Sequence, residues 1–149
     1  GVYVYDCTGS GIEISNGGDT TWLDNGVSSC NVGLKMTDAV KISIIGFTID
    51  SNTSHGIELV SGCENNDFSS GASLSNSGDG IKLTGTSDKN IFFSLANISA
   101  NEGYGINIAA ADCNQNLIAN NIFYDNVTDE SNDSGTNTLI RSNIGVADN

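Results

Sequence analysis

The phrase glycine, apolar, any residue, apolar returns five times in this chain: Gly11-Ile12-Glu13-Ile14, Gly33-Leu34-Lys35-Met36, Gly56-Ile57-Glu58-Leu59, Gly80-Ile81-Lys82-Leu83 and Gly105-Ile106-Asn107-Ile108. The steps between them are 22, 23, 24 and 25 residues. A unit this short cannot bury an apolar face alone and must stack on its neighbours, so the period by itself points to a solenoid. A second apolar column, Val4, Val27, Ile49, Leu74, Ile98 and Phe123, keeps the same period. A third, Trp22, Ile44, Phe93 and Ile118, runs five residues ahead of the second and is broken at Ser69, with Phe68 next door.

Each period therefore contains three short alternating apolar segments separated by Gly, Ser, Asn and Asp, which is strand-and-turn composition without a helical pattern. The economical fold is all-β: a three-sided coil of parallel strands, with successive coils about 4.8 Å apart and a rod on the order of 30 Å long. Where identical corners stack, a repeated Asn can both donate to and accept from its copies. Three residues after the second column the chain reads Cys7, Cys30, Asn52, Ser77, Asn101 and Asn126, which predicts a ladder of small polar side chains at one corner. Glycine is expected to supply positive φ at tight corners, and the absence of proline suits a fully paired sheet.

The stretches "NIFFSLANISANEGYGINI" and "NLIANNIFYDN" resemble the repeats of right-handed parallel β-helix proteins, the pectate-lyase-like superfamily that includes pectinases, alginate epimerases, phage tailspikes and NosD-type proteins. The resemblance runs over nearly the whole chain. It implies a single-stranded right-handed parallel β-helix of about six to seven coils with 22 to 25 residues each. A leucine-rich repeat shares the period, but the second half of each unit lacks a helical or consistent Leu/Asn pattern. The superfamily resemblance is specific for scaffold, while chemistry sits on decorations that vary between members.

At 149 residues the chain is one module by size and by the continuity of its repeats. It opens directly in a repeat, without a capping helix, so residues 1–149 are expected to be a segment of a longer chain, with flanking domains or identical subunits at open coil ends. The net charge of -13 argues against nucleic acid and against anionic membrane, since both need a basic surface. No apolar run has the length of a membrane span.

Cys7 and Cys30 occupy equivalent positions on adjacent coils, about 4.8 Å apart, within disulfide range. The other reading is four small buried thiols. Cys63 and Cys113, two coils apart with Ser87 between them, are too distant to bridge. Sequons begin at Asn52, Asn97, Asn126 and Asn132, of which Asn132 is the best placed to carry a glycan.

Candidate chemistry lies on the outward positions of the Gly-Ile-x-Leu strands, which read Glu13, Lys35, Glu58, Lys82 and Asn107 up the stack. Alternating charges at that spacing stabilise strand pairing by a few tenths to about 1 kcal/mol each. Immediately before three of the glycines stand His55, Asp79 and Tyr104, so His55, Glu58, Asp79 and Lys82 form the candidate catalytic group, a set able to move protons on a sugar ring. The superfamily patterns are not completed here. A pectinase likeness would require Asn-Thr-Asp, Asp-Asp and Gly-His-Gly phrases, a pectate lyase needs an arginine base beside a calcium cluster whereas Arg141 is the sole arginine, and the Asp-Pro-His-Glu phrase of epimerases needs proline.

After Phe123 the glycine phrase disappears, although steps of 22 from Ile118 to Ile140 and from Asn121 to Asn143 show the coil resuming. Residues 125–136 are expected to form a polar acidic loop, in which Asp125, Asp129, Glu130 and Asp133 offer the oxygen ligands calcium prefers. No other cofactor is indicated. The favoured function is a structural or carbohydrate-recognition module of an extracellular, cell-surface or viral fibre protein, with Tyr3, Tyr5, Tyr104 and Tyr124 as candidate sugar-stacking platforms. The alternatives are a polysaccharide lyase or hydrolase completed elsewhere and a filament subunit stacking end to end.

Overall fold

A computed structural model describes residues 1–147. They form a parallel β-solenoid of six coils, each laying one strand into each of three six-stranded sheets. The first sheet comprises Tyr3–Tyr5, Gly26–Ser28, Thr48–Asp50, Ala72–Leu74, Asn97–Ser99 and Phe123–Tyr124. The second comprises Ile12–Ser15, Leu34–Thr37, Ile57–Leu59, Ile81–Leu83, Tyr104–Ile108 and Asp129–Asp133. The third comprises Gly18–Leu23, Val40–Ile45, Asp67–Ser69, Ile91–Phe93, Leu117–Ala119 and Leu139–Arg141.

The second sheet follows the glycine phrase, with Ile12, Leu34, Ile57, Ile81 and Ile106 in one register line. The other two columns each slip by one residue. In the first sheet Ser73, not Leu74, pairs with Ile49 and Ile98. Ser73 is buried because its hydroxyl donates to Gly80 O and accepts from Asn76 Nδ2, so the polar group is satisfied inside. In the third sheet the inward line is Trp22, Ile44, Phe68, Phe92, Ile118 and Ile140, so Ser69 is no break and Phe93 faces out, 41% exposed. Phe68 and Phe92 stack with ring centroids 4.7 Å apart.

The corner ladder carries the same correction: it reads Asn52, Asn76, Asn101 and Asn126, with Asn76 in place of Ser77. Each amide donates to the carbonyl oxygen of the next, 2.8 to 2.9 Å away. Cys30 continues it downward by donating its backbone N–H to Asn52 Oδ1. A second ladder, Asn66, Asn90 and Asn116, lines the corner between the second and third sheets, and Asn121 accepts from Leu95 N–H at the remaining corner. The residue before each rung of the first ladder has φ of 53 to 57°: Ser51, Ser75, Ala100 and Asp125. One left-handed residue per corner thus bends the chain and aims the following amide inward.

The recurrent glycines have another cause than positive φ, which none of Gly11, Gly33, Gly56, Gly80 and Gly105 adopts. They answer to space: a Cβ on Gly56 would lie 2.1 Å from Ser73 Oγ and 2.6 Å from Gly80 O.

Residues 129–133 are not loop but the sixth strand of the second sheet, pairing with Tyr104–Ile108. Ser131 and Asp133 there take the register positions of Ile106 and Ile108, which explains why the apolar phrase vanishes while the coil continues.

Candidate functional site

The outward row of the second sheet is Glu13, Lys35, Glu58, Lys82, Asn107 and Asn132, one residue per coil. Parallel in-register pairing holds each side chain directly over the one below. Lys35 Nζ lies 3.9 Å from Glu58 Oε2, and Asn132 Nδ2 donates to Asn107 Oδ1 at 2.9 Å. Beside this row, on the corner leading into the sheet, His55, Asp79 and Tyr104 occupy successive coils, each accepting at its carbonyl oxygen the N–H of a glycine one coil below.

Row and corner meet at the centre of the rod. Asp79, 8% exposed in its side chain, uses both carboxylate oxygens: Oδ1 accepts from Tyr104 N–H at 2.8 Å and Oδ2 from Asn107 Nδ2 at 2.9 Å. His55 Nδ1 lies 2.9 Å from Asp79 N and 3.6 Å from Asp79 Oδ2, while its Nε2 lies 3.1 Å from Lys82 Nζ. A neutral imidazole has one acceptor, so the ring satisfies either the Asp79 N–H or the Lys82 ammonium, not both. Burial, reinforced by the Lys82 charge, pushes His55 below the ordinary imidazole range, and Asp79 and Glu58 oppose the shift only in part.

The candidate catalytic residues therefore do assemble, but in the geometry of a structural polar network. Each carboxylate oxygen of Asp79 accepts a hydrogen bond, and Glu58 is paired with Lys35. Asn107 and Asn132 extend the network. Asn107 was legible from the repeat phrase, whereas Asn132 lies in the coil that lost it.

The remaining candidates separate. Tyr3 and Tyr5 sit on the first coil of the first sheet, beside a shallow groove of about 110 Å³ shared with Ser28, Thr48 and Asp50. Tyr124 lies on the same sheet at the sixth coil, and Tyr104 belongs to the His55 corner, so the four make no common platform. Among the acids, Asp129 Oδ1 takes the Glu130 N–H, Asp133 Oδ1 takes the Gly135 N–H, and Glu130 caps the first asparagine ladder by accepting from Asn126 Nδ2. Among the described residues, no three His, Cys, Asp or Glu side chains gather as a metal site.

Cys7 and Cys30 are free thiols, as are Cys63 and Cys113. Burial pushes the Cys30, Cys63 and Cys113 thiols up, leaving little thiolate. Two sequons are overruled: Asn52 and Asn126 are buried with their amides spent in the ladder, which leaves no room for a glycan. Asn97 and Asn132 are half-buried.

A family model described as the right handed beta helix region matches residues 1–123. The chain belongs to the right-handed β-helix family. No curated protein and no solved structure matches it. Membership of this β-helix family accounts for the scaffold and leaves its chemistry to the surface residues just described.

Proposed function

We propose that this β-helix is a structural and carbohydrate-recognition module of an extracellular, cell-surface or viral fibre protein, and that it holds a glycan along the outward row of its second sheet. One observation carries the reading: Lys82, Asn107 and Asn132 present a donor or acceptor on each of three successive coils, immobilised by their neighbours and flanked by His55 and Tyr104. Such preorganised polar groups on a rigid sheet suit the hydroxyls of an extended polymer, because little side-chain entropy is lost on binding. Tyr104 adds an apolar ring face for a sugar to cover.

A second reading, hydrolysis or lysis of the glycan, draws on the approach of His55 to Asp79. It is the weaker, because Asp79 is buried and each of its carboxylate oxygens already accepts a hydrogen bond from the coil above.

Titration calorimetry against neutral and uronic-acid polysaccharides, with and without calcium, tests both readings when new reducing ends and unsaturated products are followed in the same samples. Binding without turnover, weakened by Lys82→Ala and by Asn107→Ala, is the expected result. Turnover would replace recognition by catalysis, and silence across the panel in both assays would leave a purely structural rod.

A further inference from the structure

The third sheet turns an apolar facet outward on its last three coils. Around inward Phe92, Ile118 and Ile140, the flanking positions hold Ile91 and Phe93, then half-buried Leu117 and the small, buried Ala119, then Leu139 and Arg141. Ile91, Phe93 and Leu139 are 38%, 41% and 37% exposed. One coil below, around Phe68, the outward pair is Asp67 and Ser69. The facet thus runs from an acid, through two apolar coils, to a base. It differs from the second sheet's polar row, and its centre offers no hydrogen-bonding side chain for a sugar hydroxyl.

We propose that this facet is a docking surface for a second copy of the same chain, packed face to face with the coil stacks antiparallel. Charge selects both the partner and the orientation. Neither Asp67 nor Arg141 forms an ion pair among the described residues, and Arg141 is the chain's only arginine. A twofold axis along the strand direction, between the fourth and fifth coils, lays the apolar coils on one another. The same operation carries the third coil over the partner's sixth, so Asp67 approaches the partner's Arg141 at one end and the relation repeats at the other, as an isologous contact requires. The long arginine side chain spans the remaining offset along the strand. A parallel arrangement would instead set Asp67 against its own copy and Arg141 against its own copy. Because each copy carries a net charge of -13, association is favoured on a facet whose two charges cancel across the axis.

The facet covers only a few strands, at the small end of specific interfaces, so the dimer is reversible and depends on concentration. Sedimentation velocity on the whole chain from low micromolar to near-millimolar concentration tests it. The expected result is a single monomer-dimer equilibrium. Asp67→Arg and Arg141→Asp alone each weaken the dimer by about tenfold or more, since like charges then meet, and the double reversal restores it. Ile91→Lys, at an outward position, abolishes dimerisation while the urea midpoint stays unchanged. Three outcomes would overturn the proposal: a monomer throughout, a dimer indifferent to the single reversals, or open-ended assemblies insensitive to Ile91→Lys, which would indicate stacking through the coil ends.

Discussion

Asn101 sits one coil above Asn76 and uses every hydrogen-bonding position of its side chain. Its Oδ1 accepts from both the backbone N–H and the Nδ2 of Asn76, and its own Nδ2 donates to Asn126 Oδ1 and to Ser73 O. With the site fully buried, removal of the amide strands two donors and an acceptor on the coil below and an acceptor on the coil above. Asn101→Ala should cost about 1 to 3 kcal/mol. Ser77→Ala, at the exposed residue next to the corresponding rung, should stay within about 0.5 kcal/mol. Urea unfolding of the two variants compares them directly, and equal midpoints would remove the ladder from the account of stability.

The third sheet supplies a parallel contrast between adjacent phenylalanines. Phe92 is fully buried against Phe68, whereas Phe93 faces outward. Phe92→Ala is expected to cost about 3 to 5 kcal/mol, the transfer of the ring plus the cavity it leaves. Phe93→Ala, measured at a concentration where the chain is monomeric, should cost less than about 1 kcal/mol. The reverse order in thermal or urea melts would mean that the strand lies in the other register.

These two corners show which parts of the fold were readable from residues alone. The second sheet was legible because glycine and two apolar residues mark it in every coil but the last. The first and third sheets were misread by one position where a coil inserts or drops a residue: the first by preferring an apolar side chain to serine, the third because two adjacent phenylalanines fit the column equally well. Leu74 was expected inside where Ser73 stands, and Phe93 where Phe92 stands. A buried serine is affordable only because Gly80 O and Asn76 Nδ2 are waiting for it, and that partnership is not visible along one strand. The sixth coil was hidden for a related reason, since Ser131 and Asp133 stand at the register positions of Ile106 and Ile108. The His55 cluster was foreseen as a set of neighbours. What could not be foreseen is that Asn107 and the Tyr104 N–H each donate to one oxygen of the Asp79 carboxylate, because that depends on coils brought together by stacking.

The glycine phrase makes a prediction about volume. At Gly56 a methyl group would meet Ser73 Oγ at 2.1 Å and the backbone oxygen of Gly80 at 2.6 Å, and the backbone oxygen cannot move without opening the ladder. Gly56→Ala should therefore destabilise by about 1 to 3 kcal/mol, as overpacking does, even though the backbone angle itself suits alanine. Gly9→Ala, where a Cβ would meet nothing within 4 Å, serves as the control and should be near neutral. Circular dichroism melts suffice to rank them.

The His55 cluster makes a prediction about pH. In the unfolded chain the imidazole takes up its proton near about pH 6.5. In the folded chain burial and then Lys82 push that uptake lower, against the smaller opposing pull of Asp79 and Glu58. Between the two values the unfolded state binds more protons, so stability falls as the pH drops through that window and is retained above it. A proton on Nδ1 would also break the bond that the ring accepts from the Asp79 N–H. Urea midpoints measured at about pH 7.5 and about pH 5.5 should fall in the parent chain, with most carboxylates still ionised over that range. His55→Gln removes the titrating group and should flatten the slope. A slope unchanged by the substitution would place the proton uptake on other groups and leave the His55 contact with Lys82 without an energetic role.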